Sequence, residues 1–238
     1  MFASDTTGQE VHVASVSSWA FYERHFAHAR LQHYLTHTGG DQSAAMELYR
    51  WNVATSGAFW QSLAYFEVAL RNALDERMST RHSAFERPGH WVFDDARELG
   101  RDADGPGHHR QPYKDIAEGI RRVRRNQKPL SAGQIISEVS FGFWHQLVSR
   151  RQMFLWPDLA GAFPHAPNRN QPTIQRPVAQ LREFRNRLGH HHRVWSENVQ
   201  DRYDDLLGVA GYIDPDLKKF IGQRSMVPAL LAKQPWPA

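Results

Sequence analysis

The sequence predicts an all-α chain, and three observations carry that prediction. Apolar residues recur three and four apart through most of the 238 residues, as one face of a 3.6-residue helix requires. Few segments alternate apolar with polar residues, the pattern of a half-buried strand. Helix starters and breakers stand where the periodic stretches begin and end.

The elements follow in order. Residues 1–16 read as a loose tail. Ser17 or Ser18 caps a first helix carrying Trp19, Phe21, Tyr22, Phe26, Leu31 and Tyr34, which ends near Gly39 and Gly40. Asp41 caps a second through Met46, Leu48, Tyr49 and Trp51. A third begins near Gly57 and carries Phe59, Leu63, Phe66, Leu70 and Leu74 to about Met78. The stretch from Pro88 to Pro112, rich in Gly, Asp and His, reads as a long loop or linker. Helix returns over 112–126, and residues 131–156 form a helical pair whose dense aromatics read as core. A proline-rich connector, Pro157 to Pro172, leads to a helix with Pro177 at its first position, where the missing N–H costs nothing. An amphipathic helix over 198–212 comes last. This gives one helical domain, 17–225, between the tail 1–16 and a C-terminal tail 226–238.

Composition narrows the function classes. Hydrophobic residues make up 41% of the chain, with 8 Trp and 13 Phe, enough for a substantial core. No apolar run approaches the roughly 18 residues of a membrane-spanning helix, and Met1 to Val16 lacks the basic start of a signal peptide. Cysteine is absent, which removes disulfide and thiol chemistry. Together these lead to the expectation of a cytoplasmic protein with no membrane partner. The net charge of +4 rests mostly on arginine, whose planar fork suits phosphate, and is compatible with nucleic acid. No glycine-rich phosphate loop, paired-carboxylate motif or nucleophile elbow is present, which weakens kinase, glycosidase and hydrolase readings.

The most informative stretch runs from Leu181 to Trp195. Arg185, Asn186 and His190 form an Arg-Asn-x-x-x-His string. Arg-Asn occurs at 71–72, 125–126, 169–170 and 185–186, but only the last is followed by histidine at that distance. On a helical wheel Val178, Leu181, Phe184 and Leu188 form an apolar stripe, and Arg185 falls inside it. A guanidinium on a buried face needs a partner or a ligand. Gly189 is a plausible left-handed stop. If the helix ends there, His190 turns back toward Arg185; if it runs on, His192 shares the arginine's face. An arginine that holds phosphate beside a histidine that titrates near neutrality suffices to cleave RNA without a metal. The competing reading pairs Arg185 with a buried carboxylate and leaves the histidines as caps of the helix C-terminus. Zinc is not expected, because adjacent helical positions point about 100° apart and cannot converge on one ion.

Two further clusters stand out. Glu67 and Arg71 lie four apart, with Asn72 following; they read either as an intrahelical pair or as support for the site. Arg121, Arg122, Arg124 and Arg125 wrap around their helix, either as a solvated surface or as contacts to an RNA backbone.

Four strings in order, Glu47-Leu-Tyr-Arg-Trp-Asn52, Phe66-Glu-Val-Ala-Leu-Arg-Asn-Ala73, Phe141-Gly-Phe-Trp144 and Leu181-Arg-Glu-Phe-Arg-Asn-Arg-Leu-Gly-His-His191, resemble those of Abi-like (abortive infection) proteins of the HEPN superfamily. The resemblance spans about residues 19–225. It implies a HEPN-type helical bundle with additional helices, dimeric, acting as a metal-independent endoribonuclease in phage defence or as a toxin. By the resemblance, Arg185 and His190 are the catalytic pair and Asn186 orients them; Glu67, Arg71, Asn72 and His191 are candidate supporting residues beside them. It also implies an RNA substrate, a homodimer with both motifs at the seam, no cofactor, and restraint by a non-coding RNA or protein antitoxin. His192 stands where a related toxin group carries a nucleotidylated tyrosine, so that control is not expected. Gly189 stands where alanine is commoner. The alternative is a non-catalytic helical module that binds RNA or a partner protein.

Overall fold

The computed structural model describes residues 18–235, and among them there are helices and 3-10 turns but no strand. The expected tail 1–16, Ser17 as a cap, and residues 236–238 lie outside the described residues. The all-α prediction holds.

Helix α1 is Trp19–His25, with Ser18 Oγ accepting the Phe21 N–H, and α2 is His28–His37. Between them Ala27 takes a positive φ of 59°, which breaks the single helix that the sequence predicts there. Helix α3 runs from Gln42 to Ala84 without interruption, about 65 Å of axis at 1.5 Å per residue. Asp41 caps it by accepting the N–H groups of Ser43 and Ala44, at 2.8 and 3.0 Å. One helix thus replaces the predicted two. Gly57 does not break it because the buried stripe passes on the other side: Trp51, Thr55, Ala58, Phe59 and Ser62 are all buried, while a Cβ at Gly57 would meet nothing within 4 Å. On the exposed face the glycine costs only its propensity, about 1 kcal/mol.

Helix α4 is Tyr113–Arg125, α5 Ala132–Glu138 and α6 Phe141–Leu147. A 3-10 stretch, Arg150–Leu155, and the short α7, Trp156–Leu159, occupy the aromatic-rich segment and the start of the expected connector. Phe141, Phe143 and Trp144 are buried, as the core reading of these aromatics required. Helix α8 spans Gln171–Gly189 and so begins six residues before Pro177. Ile174 extends its apolar stripe, and buried Gln171 donates to the Val148 carbonyl at 2.6 Å. These hold the first turns in place despite the internal proline.

Helix α9 is Val199–Ile213. The chain does not trail off after it: α10, Pro215–Arg224, and α11, Val227–Leu231, follow. Val227 is buried, and the Leu230 carbonyl accepts the Trp51 indole N–H at 2.7 Å, so this part of the expected C-terminal tail is docked on α3.

Helix α3 is the axis of the assembly, with α6, α8, α9, α10 and α11 packed along it. Phe59 of α3 meets Phe184 of α8 and Phe66 meets Phe141 of α6; the Phe59 and Phe184 rings cross edge to face at 4.8 Å. Among the described residues no helix is long and apolar enough to cross a membrane.

Candidate active site

The last two turns of α8 and the loop after them form the site. The helix does end at Gly189, but Gly189 is helical and the left-handed residue is His191, with φ 55°. The His192 N–H donates to the Arg187 carbonyl at 2.8 Å and the His191 N–H to the Leu188 carbonyl at 2.9 Å, the paired bonds of a Schellman closure. His190 is the cap residue itself, its N–H bonded to the Asn186 carbonyl at 3.0 Å. All three histidines are exposed. The rings of His190 and His192 lie 5.8 Å apart, and among the described residues no cluster of histidines and carboxylates could hold a metal ion.

Anchors from three directions fix this loop. Arg30 of α2 donates to the His191 carbonyl. Asn52 of α3, buried, accepts the Val194 N–H at 2.7 Å. Arg187 donates to the Arg193 carbonyl and to Ser196 Oγ, each at 3.1 Å, and pairs with Glu197 at 3.1 Å. Trp195 packs beside Tyr34 and His37, and Arg193 lies over its ring. The loop is cationic: desolvation, followed by the charges of Arg187, His190, Arg30 and Arg193, holds His192 below the ordinary histidine range.

Arg185 faces α3. Its guanidinium lies over the Trp60 ring, 5.2 Å from the centroid, and its Nε is 3.9 Å from Glu67 Oε2. That Nε is buried and makes no hydrogen bond, so the arginine is held by charge and by an aromatic face. Glu67 therefore pairs between helices, which settles the partner of Arg185 as a half-buried carboxylate. Burial raises the Glu67 pKa first of all, against the lowering by Arg185, Arg71 and the Phe141 N–H. Arg71 is half-buried with an unbonded Nε, whereas Asn72 and Asn186 are exposed.

The expected residues are thus only partly brought together. Glu67, Arg71 and Arg185 share one seam between α3 and α8. His190 lies five residues from Arg185, about 140° around the helix and about 7.5 Å along it. Its ring contact is with His192 rather than with the guanidinium. Asn186 touches the cap through its carbonyl alone. The arginines of α4 divide: Arg121 bonds Glu118, and Arg122 pairs with Glu118 and Glu138, at 3.7 and 3.4 Å.

Sequence reasoning passed over Trp60, Arg182 and His145. Trp60, Ala64, Glu67 and Arg71 follow one another at four, three and four residues, so a wheel drawn around Glu67 would have found the indole. Arg182 precedes Arg185 by one turn and has a buried, unbonded Nε. His145 of α6 has both ring nitrogens buried without a partner, and burial, then Arg182, lowers its pKa. Only the fold reveals it.

No family model, curated protein or solved structure matches the chain.

Proposed function

We propose that the chain is a metal-independent endoribonuclease of the toxin or phage-defence type, acting in the cytoplasm as a homodimer whose two Arg185–His190 ends face one cleft. The observation that carries this reading is an arginine held near the end of α8 by an aromatic ring and a carboxylate, five residues before an exposed histidine at the helix cap. On the same side of α3 as Trp60, Glu67 and Arg71, Val53 and Val68 are exposed, an apolar surface for the second protomer to cover.

In this mechanism Arg185 holds the scissile phosphate and offsets the charge that builds on it. His190 of one protomer takes the proton of the ribose 2′-OH as that oxygen attacks phosphorus. The bond from phosphorus to O5′ breaks, and O5′ gains a proton from the other His190. The products are a 2′,3′-cyclic phosphate and a 5′-OH, and DNA is inert because it lacks the attacking hydroxyl. Glu67 positions the guanidinium and keeps it from being an unpaired, partly buried charge. An antitoxin, whether a non-coding RNA or a protein, would act by covering this cleft.

The test is incubation of the full chain with single-stranded RNA in EDTA. Cleavage should survive the chelator, should fall by about 10²-fold or more in His190→Ala and Arg185→Ala, and should persist in His192→Ala. Activity that vanishes with EDTA, or persists in His190→Ala, overturns the reading. The Glu67–Arg185 pair favours a second reading, in which the same residues only hold α3 to α8 in a non-catalytic RNA- or protein-binding module; RNA binding without cleavage by the wild type would select it.

A further inference from the structure

The segment between α3 and α4 is built as one wall of a groove, and nothing in the proposed cleavage step uses it. Residues 88–112 contain no regular element except the 3-10 turn Trp91–Phe93, yet Trp91, Val92 and Leu99 are buried. Loops of this length inside a compact domain are either disordered or functional, and this one is pinned throughout. The buried Asp94 carboxylate accepts the N–H groups of Leu99 and Arg101. Asp102 accepts the Gly107 N–H at 2.7 Å, and His109 Nδ1 accepts the Asp102 N–H at 3.1 Å. Asp94, Arg97 and Asp102 all hold positive φ, the kind of local strain that a fold retains where the shape is needed.

Facing this wall is one side of α4. Lys114, Ala117, Ile120, Arg121 and Arg124 fall within one stripe of the helix at spacings of three and four. Between wall and helix lies a cavity of about 370 Å³. Its floor is apolar, made of Phe93, Tyr113, Ala117, Ile120 and Leu130, and Arg101, Arg121 and Arg124 stand at its rim. A second cleft of about 280 Å³ continues it past His109 to Lys114. Arg101 is engaged with the Phe93 carbonyl and with Asp95. Arg121 makes only an exposed pair with Glu118, which water and ligand displace at little cost. Arg124 and Lys114 make no ion pair among the described residues. Four cations thus border the groove against Asp102 and Asp104.

We propose that this groove binds a single-stranded RNA segment. A base sits on the apolar floor and the flanking phosphates lie on Lys114, Arg121 and Arg124. Arg122, tied to Glu118 and Glu138, takes no part. The inference rests on RNA being the ligand of the Arg185 site, and it makes the groove a second grip on the same strand.

Binding of a fluorescein-labelled single-stranded RNA is measured on the full chain carrying His190→Ala, at several salt concentrations. Adding Arg121→Ala with Arg124→Ala should weaken binding on the order of tenfold and lower the salt slope by about 1.4, at roughly 0.7 for each phosphate left without its arginine. Leu130→Ala, which removes no charge, should weaken binding severalfold at an unchanged slope. Arg122→Ala should change neither quantity. Wild-type affinity and slope in the Arg121/Arg124 variant would overturn the proposal, as would an unaltered affinity in Leu130→Ala. Cleavage of a dinucleotide by the same variants in the wild-type background separates the two readings. If no RNA is cleaved while the groove variants still lose binding, the ribonuclease reading fails and the groove stands. If RNA is cleaved while the groove variants bind normally, only the groove falls.

Discussion

Two irregular segments flank the helices of this fold, and they are held in opposite ways. The loop after α8, from His190 to Asn198, is short and is fixed largely by other elements: Arg30 from α2, Asn52 from α3 and Arg187 from α8. The segment 88–112 is long and is fixed largely from within, through Asp94 and Asp102, while Glu98 and Trp91 tie it back to Arg81, Arg87 and Asp75. A loop held from outside can turn its side chains to solvent, as the three histidines do, because its backbone is satisfied elsewhere. A loop that holds itself must turn its polar groups inward, and what it offers is a surface. The first arrangement suits a few reactive groups at a point. The second suits a groove wall.

The largest expected effect comes from cutting an outside anchor. Asn52→Leu leaves the buried Val194 N–H without an acceptor, at a cost of about 2–3 kcal/mol. Chemical denaturation should show that destabilisation. RNA cleavage under conditions where the variant stays folded should fall as well, because the histidine cap loses its tether. If Asn52→Leu destabilises the chain but cleaves at the wild-type rate, the anchoring argument for the histidine loop is wrong.

A smaller effect is expected from the self-held segment. Gly100 sits at φ +98°, and a Cβ there would stand 3.0 Å from both the Arg110 Cβ and the Arg110 carbonyl oxygen. That carbonyl is backbone and does not yield cheaply. The Arg110 N–H in turn bonds the Gly100 carbonyl at 2.9 Å, so the two arms of the segment meet here. Gly100→Ala should cost about 1–2 kcal/mol of backbone strain. It should weaken RNA binding at the groove while leaving dinucleotide cleavage unchanged. Equal reductions in both assays would erase the distinction between the two segments.

Legibility in the sequence follows the same division. Helices were legible because their periodicity is local: the apolar stripe of α8 is visible from Val178 to Leu188, and Arg185 is conspicuous within it. The extent of α3 was not, because a single glycine on an exposed face reads like a stop until the burial of its neighbours is known. Of the site, Arg185 and its acidic partner were both nameable, but their pairing across two helices was not, since Glu67 and Arg71 already made a plausible local pair. Asn52 and Arg30 were invisible as anchors, because a hydrogen bond spanning more than a hundred residues leaves no local pattern. Residues 88–112 were legible only as irregular. The backbone bonds that their aspartates accept exist only in three dimensions.

The smallest effect concerns the helix end, where the usual expectation misplaces the glycine. The sequence predicts a left-handed stop at Gly189, but the positive φ belongs to His191, so the glycine occupies a helical position and a histidine the strained one. A Cβ at Gly189 would rest 3.7 Å from the Trp60 ring, an ordinary contact. Gly189→Ala should therefore stabilise the fold by about 0.5–1 kcal/mol, and His191→Gly should relieve left-handed strain, partly offset by the freedom glycine adds to the unfolded chain. At about 1 kcal/mol together, the pair should raise Tm by about 2–4 °C, a shift within reach of scanning calorimetry. Gly189→Ala replaces none of the residues assigned to the site, so cleavage should be retained in it. A fall in Tm on Gly189→Ala would place the left-handed residue at 189, which would turn His190 and His192 onto different faces and rearrange the site that Trp60 and Arg185 share.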